Sequence, residues 1–380
     1  NEEKSYCYTT DSNNHDSNAK LYTDNKGQHV IANLDKNGKC YLYFDIKNFA
    51  EDIIIEDKTG IVQRINFTGI AEGNDTGMYS APDDYGTSYY FRGLEGSLNN
   101  WVKFAGFYWR IIRINGNGTV RMIYTGVASG NPSDANRTGT TTQIGTSMFN
   151  HTINDNAYVG YMMGIPLNGT NSTVSNSTIS NSTSYEQAHT NTYDSDAKIQ
   201  IDSWYKTNIA DKNLSKYIDT NTGFCNDREF NSGTSGFGTN NTTYTPMGRL
   251  NNRQIQTPTL QCANKSRDLF TLSNSSIGNK KLIYPVGLIS SDEAVFAGSF
   301  NGSINNTYYL YTNQAYWTMS PYNFVYNNWG GGAWEFAVSN SGNIGDFSLS
   351  NNYGLRPVIN LKADTKFSGS GSATDPYIVI

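Results

Sequence analysis

Tyr353 to Ala363 reads YGLRPVINLKA, in which Leu355, Pro357, Ile359 and Leu361 alternate with Arg356, Val358, Asn360 and Lys362. This period of two predicts a strand with one firmly apolar face. Pro357 has no backbone N–H to give to a ladder, so it belongs at the strand's start or on a sheet edge. Arg356 beside it carries a planar fork suited to a carboxylate or to carbonyls. Among apolar neighbours it is expected to be buried and paired. Immediately upstream, YWTMSPYNFVYNNWGGGAWEFAVSNSGNIGDFSLSNN (316–352) sets Asn, Tyr, Ser, Gly and Trp between apolar positions. Phe336 and Val338 alternate with Glu335, Ala337 and Ser339, as a one-sided strand requires. The glycine-rich NNWGGGAW (327–334) predicts loop-borne, exposed Trp329 and Trp334. A regular apolar frame carrying such residues reads as a binding surface.

Working outward, the clearest hairpin is NNWVKFAGFYWRIIRINGNGTVRMIYTG (99–126). Phe107, Trp109 and Ile111 alternate, INGNG turns, and Val120, Met122 and Tyr124 alternate again. A strand Trp amid Ile and Phe is usually buried, so Trp109 is assigned to the core. Between 196 and 213, Ile201, Trp204, Tyr205 and Ile209 recur at helical spacing, with Ser195 or Asp194 to cap the start and Trp204 turned inward. LIYPVGLIS (282–290) reads as a strand leading into Ser290-Ser291-Asp292-Glu293, a capping box followed by Ala294, Val295, Phe296 and a stop at Gly298. Adjacent carboxylates at Asp292 and Glu293 invite a catalytic role, but capping accounts for them. Residues 138–164 look loop-like. The Asn/Ser/Thr repeats of 167–185, with sequons at Asn171, Asn176 and Asn181, form a low-complexity insertion.

Toward the N-terminus, HVIANL (29–34), the DKNG turn and KCYLYFDI (39–46) predict a hairpin, because Asn37-Gly38 supplies the positive φ such turns need. A helical turn at 48–53 and a strand at 60–70 follow. The organisation expected is α+β: a small β-rich module over 1–83, then one domain over 84–380. The four cysteines, Cys7, Cys40, Cys225 and Cys262, contain no CxxC pair. An even count in so polar a chain predicts disulfides and an oxidising exterior. Pairing by proximity gives Cys7–Cys40 and Cys225–Cys262, with the other connectivities open.

Composition narrows the function. With 16% charged residues, a net charge of −5 and no basic block, nucleic acid is not an expected partner. Twenty-seven tyrosines supply contact area with a polar tip at small entropy cost, which suits binding. No apolar run reaches membrane-helix length. The opening residues are polar and lack a signal-peptide core, so the numbering is expected to start after a removed or omitted targeting segment. His15, His29, His151 and His189 show no metal-ligand spacing to one another, and no GxSxG, HExxH, P-loop or dinucleotide fingerprint occurs. A non-enzyme is therefore expected, with no cofactor beyond a possible structural calcium.

WRIIRINGNG (109–118), LISSDEA (288–294), YWTMSPY (316–322) and YGLRPVINL (353–361) occur in the order found in bacterial surface proteins with a C-type-lectin-like fold. The chain resembles the variable proteins diversified by diversity-generating retroelements and, more distantly, the formylglycine-generating-enzyme branch. The resemblance spans Asp83 to Ile380. It implies an adhesin-like, extracellular protein that takes a protein or glycan ligand from another cell or host surface, with a membrane-anchoring segment ahead of it. It implies variable ligand-binding positions at Asn323, Tyr326, Asn327, Asn328, Trp329, Trp334, Asn343, Asp346, Phe347, Asn351, Asn352 and Tyr353. Trp317, Pro321, Phe336, Val338, Gly342, Ile344, Leu349, Gly354, Arg356 and Pro357 would be the retained scaffold. No Cys follows Cys262, so the formylglycine activity is not carried over, and the Glu-Pro-Asn and Trp-Asn-Asp calcium motifs of animal lectins are absent. The competing reading is a homo-oligomeric filament or phage-fibre subunit with decorative loops.

Overall fold

In the computed structural model, Phe107–Ile114 and Val120–Val127 pair antiparallel around the INGNG turn, with Trp109 opposite Tyr124 and Ile111 opposite Met122. The structure describes residues 5–8, 18–23, 29–34, 38–41, 50–55, 58–129, 138–167, 181–233, 235–327 and 330–380. By contacts the chain divides into two compact units, 1–48 and 49–380. The boundary expected after residue 83 thus falls earlier. The reason is that Gly77–Asp83 pairs along its whole length with Gly86–Arg92, which joins it to the larger unit's sheet.

In the first unit, Tyr6–Tyr8 pairs with Lys39–Tyr41, and Lys20–Thr23 pairs with His29–Ala32. The hairpin expected between 29–34 and 39–46 is therefore not formed among the described residues. The Cys7–Cys40 disulfide explains this, since it sets Cys7 directly opposite Cys40 and commits that strand to the other partner.

The larger unit is α+β, mostly sheet with few helices. An eight-stranded sheet is centred on the 107–127 hairpin. A seven-stranded one is centred on Tyr316–Asn327, which pairs with Gly330–Val338, itself paired with Ile344–Ser348. Helix Ser291–Ala297 contacts strands of both sheets and is buried at every residue. Its capping box forms as expected: the Ser290 hydroxyl accepts from the Glu293 amide, and the Glu293 carboxylate accepts from the Ser290 amide. Gly298 ends the helix at φ 139°, a conformation open to glycine.

The 353–363 stretch departs from a one-faced strand. Only Val358–Leu361 is ladder, paired with 120–123, and all four residues are buried on both faces. Asn360 accepts from Asn115 and donates to the Thr222 carbonyl, so a chain segment covers the side that the alternation assigned to solvent. Pro357 stands just ahead of the strand, its carbonyl accepting from Tyr124. Arg356 is buried and donates to the Tyr124 and Leu310 carbonyls and the Thr125 hydroxyl, with its guanidinium over the Tyr316 ring. The other two expected strands pair only at single points: Gln63 with Ser80 and Phe67 with Gln256, Leu282 with Leu272 and Gly287 with Val358. Residues 138–164 are loop-like in path but supply core, including Phe149, Tyr158 and Tyr161. The insertion lies largely outside the described residues. Its end, however, is built in: the buried Ser182 hydroxyl donates to Asp155 at 2.6 Å.

Candidate functional site

The first place to look for chemistry is the cluster of charge around Glu293. Arg113 donates to Glu293 at 3.0 Å and to Asp83 at 2.8 Å, and Arg121 ion-pairs with Glu293 at 2.5 Å. Arg249 holds Asp292 through two bonds, 2.6 and 2.8 Å, and reaches Asp227 at 2.6 Å. Burial pushes the Glu293 carboxyl up, but Arg121, Arg113 and the Ser290 amide outweigh it and hold it below the usual carboxylate range. The space these groups enclose is about 30 Å3, enough for roughly one water. This cluster spends its charge on itself and joins the central hairpin to the helix between the sheets. Among the described residues no group of three or more His, Cys, Asp or Glu is arranged to hold a metal ion.

A different polar site opens at the end of the terminal sheet. A cleft of about 370 Å3 is lined by Gln143, Asn340, Phe347, Asn352 and Tyr353, with Thr146, Asn313, Gln314, Ala315, Ser339 and Gly354 completing its wall. None of these side chains carries a charge. The Tyr353 ring is seated between Trp317, at 5.0 Å, and Phe347, at 4.9 Å, and Asn351 donates to its hydroxyl at 3.3 Å. The Trp317 indole N–H in turn donates to Ser147 at 2.8 Å, which fixes the strand Thr146–Ser147 alongside Tyr353–Gly354. Gln143 is only 8% exposed, and its side-chain oxygen is buried without a hydrogen-bond partner among the described residues. Gly354 leaves the space that this side chain fills: a Cβ there would collide with the Gln143 amide.

The expected binding positions do not converge. Phe347, Asn352 and Tyr353 line the cleft, and Asn351 braces Tyr353. Trp334, Phe336, Asp346 and Ser348 share the opposite face of the regular 330–338/344–348 ladder, because side chains alternate along a strand. Asp346 is exposed there, whereas Trp334 is half-buried against the core, not loop-borne as expected. Asn323 is half-buried in mid-sheet, opposite Trp334 and Thr243. Asn343 shapes a turn, accepting from Ser339 and Ser341. Tyr326 is 46% exposed at the far end of its strand. Asn327 ends that strand opposite Gly330, and Asn328 and Trp329 lie outside the described residues. The scaffold positions Trp317, Phe336, Val338, Ile344, Leu349, Gly354, Arg356 and Pro357 are buried. Sequence reading missed Gln143 and Asn340, since one sits in a stretch read as loop and the other is one Asn among many.

Two disulfides, Cys7–Cys40 and Cys225–Cys262, close the chain, and no free cysteine remains among the described residues. No helix among them is long and apolar enough to cross a membrane. Compared with protein-family models, curated proteins and solved structures, the chain matches none.

Proposed function

We propose that this is an extracellular, adhesin-like binding protein of C-type-lectin-like architecture that takes a neutral, hydroxyl-rich ligand, a glycan, in the Tyr353 cleft. The observation that carries the reading is the open cleft of about 370 Å3 walled by uncharged amides and hydroxyls beside the fixed Tyr353 ring. Gln143, packed against Gly354, closes one wall of the cleft and leaves its exposed rim to Asn340 and Asn352. Amides and hydroxyls around an aromatic surface recognise a sugar by hydrogen bonds at its rim and by contact with its C–H face. The cleft's volume lies within the range of small-ligand sites. Its lining contains no nucleophile–base set, which favours binding over catalysis. The two disulfides fit an oxidising compartment. The test is a combined glycan and protein array probed with the chain and with Asn352→Ser. Retention of neutral glycans, weakened in the variant, is expected. Retention of proteins alone, or an unchanged profile in the variant, would remove the site.

A further inference from the structure

We infer that the ligand is a chain and not a single ring: a neutral, linear oligosaccharide that passes from the Tyr353 cleft over Thr146 into a second cleft around Trp204. The inference rests on the glycan reading of the first cleft. The second cleft has a volume of about 310 Å3 and is lined by Trp204, Gln200, Ser203, Thr207 and Asn208 against Ile144–Thr146 and Leu355. Like the first, it has an aromatic ring, amides and hydroxyls, and no charged side chain among the described residues. Thr146 lines both clefts and is exposed, so they meet at an open saddle.

Trp204 was expected in the core, yet it is only half-buried. Its ring rests on Phe107 at 5.2 Å, Tyr124 at 5.5 Å and Trp109 at 6.1 Å, which holds it still while part of it faces the cleft. The helix Asp196–Tyr205 then widens into a π turn, Lys206–Ala210. Such turns cost regular hydrogen bonding and gather at functional sites. Here the turn brings Thr207 and Asn208 to the cleft beside Trp204. Asn208 donates to the Trp204 carbonyl and Thr207 to that of Ser203, so the Asn208 oxygen and the Thr207 lone pairs are left to accept from ligand hydroxyls. A peptide is the less suitable occupant. The edge strand at the saddle, Thr146–Ser147, is too short to template an added strand, and neither cleft offers a charged anchor.

The experiment is calorimetric titration of the full chain with the neutral gluco-, manno-, galacto- and N-acetylglucosamine series, each from monosaccharide to hexasaccharide. For the series that binds, affinity is expected to rise tenfold or more with length. Trp204→Ala should lower hexasaccharide affinity about tenfold, as for truncation of an aromatic anchor, and leave monosaccharide affinity unchanged. Because Trp204 also packs on the core, the exposed double variant Gln200→Ala/Thr207→Ala is measured beside it and should reduce the length effect in the same direction. Asn352→Ser should weaken every length alike. Length-independent affinity, or a length effect intact in both Trp204-side variants, overturns the two-cleft inference and leaves the Tyr353 site standing. No binding by any series overturns both.

Discussion

The cavity at Glu293 and the cleft at Tyr353 are both polar and both assembled from distant segments, yet they are opposite in kind. One is packed with arginine and carboxylate and closed to about 30 Å3; the other holds no charge and opens to about 370 Å3. Burying an ion is expensive unless it is paired and hydrogen-bonded. A cluster of buried ions must therefore bind itself before it can bind anything else, as Glu293 does by serving two arginines and the helix cap together. Neutral amides and hydroxyls carry a smaller penalty, so a cleft walled by them can stay open without internal pairing. Density of charge here marks the scaffold, and its absence marks the cleft to which we assign binding.

Breaking the charged side of this contrast should have the largest effect. Glu293→Ala leaves Arg113 and Arg121 buried without their shared carboxylate, a loss of about 3–5 kcal/mol, and removes half of a capping box, about 1 kcal/mol more. Chemical denaturation measures it. A loss under 1 kcal/mol would mean that the cluster is not holding the sheets together. Exchanging Glu293 and Arg121 together for Met should cost less than Glu293→Ala, since fewer ions are then stranded.

A further buried carboxyl, set against Glu293, sharpens the comparison through pH. Glu335 lies on the strand beside Phe347, fully buried, with both oxygens lacking a hydrogen-bond partner among the described residues. Burial drives its pKa well above the usual range, and Arg228 only partly opposes this. The folded state therefore keeps a proton that the unfolded state releases above its ordinary pKa. Stability from this group is full below that value and falls as pH rises toward the raised one, with a slope of up to about 1.4 kcal/mol per pH unit. Glu293 has the opposite sign. Its depressed pKa contributes stability above the unfolded value, which is lost as pH falls through the folded one. Glu335→Gln should thus raise the melting temperature at neutral pH and flatten the decline on the alkaline side. Melting curves of the two proteins that stay parallel from acid to neutral pH would show that Glu335 is ionised in the fold.

What the sequence disclosed was local. The INGNG hairpin and the capping box at Ser290 each lie within a few tens of residues, where turn chemistry and spacing speak directly. The pairing of 77–83 forward with 86–92, which moves the domain boundary, looked the same as membership of the preceding module. Alternation in YGLRPVINLKA was read as one buried face, because nothing in the stretch reveals that the segment near Thr222 covers the other. In the candidate site, Asp346 and Phe347 are neighbours and looked alike as binding positions, yet the period of two sends them to opposite faces. Gln143 comes from a segment without regular pattern and becomes a site residue only when Gly354 makes room for it.

The smallest expected effect is the most discriminating test of where the binding surface lies. Tyr326 and Asp346 are exposed and lie away from the cleft, while Asn352 is exposed and lines it. Exposed substitutions usually stay within about 0.5 kcal/mol of the parent, so Tyr326→Ser, Asp346→Ser and Asn352→Ser should all melt with the unmodified protein. Their binding should then diverge. Asn352→Ser removes an amide from the rim of the cleft beside Tyr353 and should weaken glycan retention several-fold. The other two should leave it untouched, because side chains on the opposite face, or at the far strand end, do not reach a ligand held at Tyr353. The measurement is titration of each variant with a glycan retained by the parent on the array. If Tyr326→Ser or Asp346→Ser weakened binding while Asn352→Ser did not, the ligand face would be the Trp334 side of the sheet, and the charge-free cleft would be an incidental gap between strands.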